Sequence, residues 1–149
     1  MAVDPIPNGY HTVTPYLPIK GAEGVIEFAK RAFGASERLR MPGPNGTIGH
    51  AEIEIGDSVV MVADVDERGR NMPAMIHLYL EDVDSVYARA LEAGATSVQE
   101  PKTQFYGDRN AGVQDLAGNH WYISTHVEDV PPEEMEARAA QASAQAGPQ

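Results

Sequence analysis

The chain has 149 residues, 42% hydrophobic and 22% charged, with no cysteine, which suits one compact domain and excludes disulfides, thiolate nucleophiles and Cys-ligated zinc or iron–sulfur clusters. Its net charge of −11 repels phosphate backbones and anionic lipid, and no dense Lys/Arg patch offsets it, so neither nucleic acid nor a membrane is an expected partner. No apolar run reaches the roughly 18 residues that span a bilayer, and the N-terminus lacks the basic and apolar regions of a signal peptide, so a cytoplasmic location is expected.

Residues 1–10, with Pro5, Pro7 and Asn8-Gly9, read as an arm. From Thr12 to Lys20 the residues Val13, Leu17 and Ile19 alternate with Thr14, Tyr16 and Pro18, an edge strand interrupted by prolines. Ala22 to Phe33 places Val25, Ile26, Ala29, Ala32 and Phe33 on one helical face, and Gly34 stops the helix. Three short strands follow, parted by Pro42-Gly43-Pro44-Asn45-Gly46 and by Gly56-Asp57, both turn chemistries. In the middle strand His50, Glu52 and Glu54 alternate with Ala51, Ile53 and Ile55, and Ser58 to Ala63 is a more buried strand. Residues 64–73 form a charged loop.

The order then recurs. Ala74 to Glu81 is a strand with Ile76, Leu78 and Leu80 on one face and Met75, His77 and Tyr79 on the other. Asp82 or Asp84 caps a helix running through Ala93, and Gly94-Ala95 ends it as Gly34-Ala35 ended the first. Strands near 97–100, 111–114 and 120–125 follow, and Pro131-Pro132-Glu133-Glu134 opens an Ala/Glu-rich helix that frays from Ser143 into a mobile tail. A strand, a helix and three strands thus appear twice, about 60 residues apart, as a duplication produces.

These segments resemble the vicinal oxygen chelate superfamily of glyoxalases, bleomycin-resistance proteins and extradiol dioxygenases, its PhnB-like branch in particular. Tyr10 to Leu17, Ile26 to Ala35, His50 to Ser58, Phe105 to Arg109, Gly112 to Trp121 and Thr125 to Val130 carry the resemblance. It implies an α+β fold: two tandem βαβββ modules, 11–65 and 74–127, form curled mixed sheets around a cup. They make a single domain over 11–130, with a C-terminal helix and tail over 131–149. Catalytic relatives hold a divalent cation with four side chains on four inner strands, and the cation acts as a Lewis acid. Aligning this chain to them places Thr14, Val60, Met75 and Tyr122 at those positions, a set poorly suited to a hard cation.

The resemblance and the alternation together imply a homodimer that binds a small, partly aromatic or apolar molecule with no metal cofactor. Tyr16, Tyr79 and Tyr122, with Met75, would line the cup, alongside Thr14, His50, Glu52 and His77. Arg109 would hold an anionic group at the mouth, oriented by Asp108, or else the two form a structural pair. Catalytic residues are not assignable, and whether the chain is an enzyme stays open. The alternative is a lyase or isomerase with a divalent metal relocated to His50, Glu52 and His77. Gly-rich phosphate loops and Gly-x-Ser-x-Gly elbows are absent from the sequence.

Overall fold

A shift of 61 residues carries one half of the chain onto the other. The computed structural model describes residues 2–66 and 68–146. In the first half β1 (Tyr16–Ile19) is followed by α1 (Ala22–Phe33), β2 (Ser36–Pro42), β3 (Ile48–Ile55) and β4 (Ser58–Asp64). The second half repeats this with β5 (Met75–Tyr79), α2 (Val83–Glu92), β6 (Thr96–Thr103), β7 (Asp108–Gln114) and β8 (His120–His126), before α3 (Pro132–Ala146). The result is an α+β fold with two four-stranded mixed sheets, ordered β1-β4-β3-β2 and β5-β8-β7-β6. In each, the first strand runs parallel to the last and the remaining pairs are antiparallel.

Between the first and last strands of each half the duplication holds to the single residue, while β7 is one residue out of step with β3: Ala51–Val62 corresponds to Ala111–Ile123. The shift carries the β1–β4 pair Tyr16–Met61 onto the β5–β8 pair His77–Tyr122. It also carries the helix caps. Asp64 Oδ1 accepts from the Ala22 N–H (2.9 Å) at the start of α1, and Thr125 Oγ1 accepts from the Val83 N–H (3.1 Å) at the start of α2. Asp64 Oδ2 also takes the Ile48 N–H at 2.8 Å, tying the helix start to β3. Asp82, rather than Asp84, supplies the side-chain cap of α2, accepting from the Ser85 N–H at 3.3 Å.

Several strand ends depart from the sequence reading. β1 begins at Tyr16 rather than Thr12, because Pro15 has only its carbonyl to offer, which accepts from the Met61 N–H at 2.9 Å. β6 runs past Pro101, tolerated because the strand lies at a sheet edge and is irregular there. β7 starts at Asp108 and not near 111, so Asp108 and Arg109 are strand residues. α3 stays helical to Ala146 where fraying was expected from Ser143, and the last residues of that tail, 147–149, lie outside the described residues.

One apolar core serves both halves. α1 buries Val25, Ile26, Ala29 and Phe33, as its 3.6-residue pattern requires. Alternation supplies Ile53 and Val62 from the first sheet, and Val113 and Ile123 from the second. Trp121 joins the halves: it is fully buried, with its ring 5.1 Å from Phe33 and 6.3 Å from Phe28 of the other half. Its indole N–H donates to Asp115 Oδ2 at 2.8 Å, and Asp115 accepts from Asn119 as well, so the buried polar groups are satisfied. The helices lock each other reciprocally. Arg31 of α1 donates to the Glu92 carbonyl of α2 (3.3 Å), and Arg89 of α2 donates to the Ala32 carbonyl of α1 (3.4 Å), each guanidinium at a helix C-terminus where cations are favoured. The halves therefore join through their helix layers, and the opposite face of each sheet is left open.

Candidate ligand-binding site

Period-two alternation assigns the open faces. On the first sheet Tyr16 of β1, Met61 of β4, and His50 and Glu52 of β3 share the face away from α1. On the second, Met75, His77 and Tyr79 of β5 stand beside Tyr122 and Ser124 of β8 and Gly112 and Asn110 of β7. Val60 does not belong to this set. It lies in the core, at the position equivalent to Trp121, and the residue equivalent to Tyr122 is Met61. The expected third position was therefore one residue out of register, which in a strand means the wrong face. Thr14 precedes β1 and donates to the His11 carbonyl at 3.4 Å, so it sits in the segment between the arm and β1 and not on a strand.

The first face is charged. Glu52 is only 8% exposed. His50 Nε2 donates to its Oε2 at 3.1 Å, and Arg38 Nε stands 3.7 Å from its Oε1. The Tyr10 hydroxyl, then His50 and Arg38, hold this carboxyl below the usual range against the opposing effect of burial, which makes it a fixed anion and a weak base. The same contact raises the Tyr10 hydroxyl. Arg38 lies over the Tyr10 ring at 5.1 Å and donates to the Asn8 carbonyl at 3.2 Å. Residues 8–10 are thereby strapped to the first sheet. Sequence reasoning missed this strap because its partners lie far away along the chain, on β2 and β3.

The second face is a platform. A methyl placed on Gly112 would lie 2.9 Å from Tyr122 Cε1 and 3.2 and 3.3 Å from its neighbours Cζ and Cδ1. That spacing is the signature of an atom directly above the ring face, so the Tyr122 ring lies flat on β7 over the glycine. The His77 ring, on the strand at the other side of β8, is within 10° of parallel, with centroids 6.5 Å apart. The two rings thus lie side by side as a floor. His77 Nε2 is held 2.7 Å from the buried Ser124 Oγ. Met75 and Tyr79 flank the floor and are 67% and 64% exposed.

Polar groups stiffen the rim. The Tyr79 hydroxyl donates to Asp108 Oδ2 at 2.8 Å, and His126 Nδ1 faces Asp108 Oδ1 at 2.8 Å. Burial pushes the Asp108 carboxyl up, but the hydrogen bonds from His126 and Tyr79 outweigh it and the carboxyl sits below its ordinary value. His126 Nε2 faces Asp129 at 2.7 Å. With a carboxylate on each nitrogen, led by Asp108, the imidazole is raised above its ordinary value. Asn110 gathers Gln99 (2.8 Å), Gln104 (3.0 Å) and Tyr106 (2.8 Å). Asp108 was singled out only as a partner for Arg109, and Asn110, Ser124 and His126 were not singled out from the sequence. The alternation of β7, extended three residues before its expected start, and of β8, extended one residue past its expected end, would have found them.

Arg109 is not brought to the cup. It points to the helix side of β7, where it grips Asp84 through Nε and Nη2 at 2.7 and 2.8 Å, so its partner is Asp84 and not Asp108. His50 and Glu52 stand on one sheet and His77 on the other, and among the described residues no three metal-ligating side chains gather. The row across the inner strands, Tyr16, Met61, His77 and Tyr122, holds two phenols, a thioether and a single imidazole, a donor set that does not fit a hard divalent cation. Two cavities, of about 250 and 690 Å³, lie elsewhere: one between α1, α2 and the 115–117 turn, the other beside the 44–49 turn. No described helix is long and apolar enough to cross a membrane.

The family model for the Glyoxalase/Bleomycin resistance protein/Dioxygenase superfamily matches residues 10–123. The uncharacterized protein Mb0911c of Mycobacterium bovis is 38% identical over 136 residues, which are 84% of this chain and 90% of that protein. TioX from Micromonospora sp. ML1 superposes with a TM-score of 0.66 at 28% identity, over 78% of this chain and 99% of its own. TnmS3, an antibiotic binding protein from Streptomyces sp. CB03234, superposes with a TM-score of 0.62 at 22% identity, over 85% of this chain and 98% of its own, a likeness of fold.

Proposed function

Because the chain belongs to the glyoxalase/bleomycin resistance protein/dioxygenase superfamily, we propose that it is a cytoplasmic small-molecule-binding protein of the PhnB-like branch, sequestering a planar, partly aromatic ligand without a divalent cation. The carrying observation is the posture of Tyr122. A phenol laid flat beside a parallel imidazole offers a preorganised stacking surface, and stacking of that kind favours flat apolar molecules. The binding domain comprises residues 11–130, with 131–149 as an appendage. The antibiotic-binding description of TnmS3, a protein of like fold, agrees with this reading.

The active form is a homodimer in which the open face of one chain is completed by its partner. Exposed Tyr16, Leu39, Met41, Met72, Met75 and Tyr79 support it, since apolar surface of this kind on one side of a protein marks a contact. Tyr16, His50 and Glu52 would come from the first sheet, Thr14 from the segment that leads into it, and Met75, His77, Tyr79 and Tyr122 from the second.

Fluorescence titration with acridone, a flat neutral tricycle, combined with light scattering, tests this. A dimer that binds acridone, with affinity at least about tenfold lower in Tyr122→Ala, is the expected result. A monomer that binds no acridone overturns it. So does roughly one equivalent of zinc, nickel, manganese or iron in untagged protein that is lost in His77→Ala, which would establish the metal-dependent lyase or isomerase instead.

A further inference from the structure

Tyr79 stands at the edge of the platform, its ring 5.2 Å from that of His77. A phenol has one proton to donate, and here it is committed to Asp108 Oδ2 at 2.8 Å. The direction of that bond is set by the surroundings of Asp108, which is 6% exposed and has its other oxygen against His126. Asp108 is an ionised acceptor at both oxygens. What Tyr79 turns outward is therefore its lone pairs, and donation to a carboxylate makes a hydroxyl oxygen a stronger acceptor in turn. Among the described residues no donor reaches that oxygen.

Two of the neighbouring polar side chains are engaged by others. His77 Nε2 is taken by Ser124. Asn110 donates to Tyr106 and accepts from Gln99 and Gln104. At the edge of the floor where Tyr79 stands, the free hydrogen-bonding capacity is thus an acceptor.

We infer that the cup selects, among planar molecules, those carrying an N–H or O–H donor on the edge that meets Tyr79, and that Tyr79 is the residue that determines this preference. The inference rests on the stacking role proposed above and adds the edge chemistry of the ligand. It concerns neutral donors as well as cations, so it is distinct from any general attraction of the acidic chain for positive charge.

Acridone and N-methylacridone test it, because they share a ring system and differ in one N–H. The wild-type dimer should bind acridone about five- to tenfold more tightly than the N-methyl compound, the worth of one hydrogen bond. In Tyr79→Phe, which keeps the ring, the ratio should fall below about twofold, with far-UV circular dichroism verifying the fold. Equal binding of the two probes by wild type overturns this inference and leaves the stacking role standing. A ratio that survives in Tyr79→Phe overturns it as well. If neither probe binds, both the stacking role and the edge preference fall.

Discussion

At position 112 a hydrogen atom in place of a methyl group decides how Tyr122 lies, since any Cβ there would press on the ring face at 2.9 Å. Gly112→Ala should cost about 1–3 kcal/mol of stability as an overpacked site and tilt the ring up, weakening acridone binding by up to about tenfold. Pairing it with Tyr122→Leu should recover stability but not binding; thermal melts and the same titration read both. His126 yields a different measurement. Its two nitrogens face carboxylates of Asp108 and Asp129, and only an imidazolium can donate to both. Its value is raised in the folded chain, so its stabilising contribution is complete below its ordinary value of about 6.5 and is lost as pH rises through the raised one. The gap in melting temperature between wild type and His126→Gln should be widest near pH 6 and close at higher pH. A gap that widens toward pH 9 would contradict this arrangement.

Helices α1 and α2 begin on side chains that reach them from the last strand of their own sheets, Asp64 and Thr125. Asp64 serves two backbone N–H groups and Thr125 one, so Asp64→Ala should cost roughly 2 kcal/mol or more and Thr125→Val about 1 kcal/mol, measured by urea unfolding. These elements also mark what the sequence could and could not disclose. The helices and most strands were legible, because Val25, Ile26, Ala29 and Phe33, or Ala51, Ile53 and Ile55, repeat with the periods of buried helix and strand. The repeated order was legible from turns. The strap over Glu52, the Arg109–Asp84 grip and the Tyr79–Asp108–His126 chain were not, since a hydrogen bond between side chains on different elements leaves no periodic trace. Val60 shows the sharper limit: alternation states which residues share a face, but without a fixed register a single step exchanges core for cup.

For the molecule as a whole, the core is shared and the open faces are not. Trp121, the one tryptophan of the chain, packs on Phe28 and Phe33 across the junction of the halves. Its emission should therefore change in the same thermal transition as far-UV circular dichroism, with no separate melting of one half. If two chains complete each cup, mass action requires the melting temperature to rise with protein concentration; a midpoint that is constant over a hundredfold dilution range would argue for a self-sufficient monomer. The 61-residue correspondence has a further consequence. Leu17 and Val62 match Leu78 and Ile123, so the row beneath the helices has stayed interchangeable between halves while the outward row, Tyr16 and Met61 against His77 and Tyr122, has diverged. Packing does not depend on which half is translated first. A circularly permuted gene, rejoined so that the ribosome makes the second half before the first, should still yield the same architecture with both recognition surfaces in place.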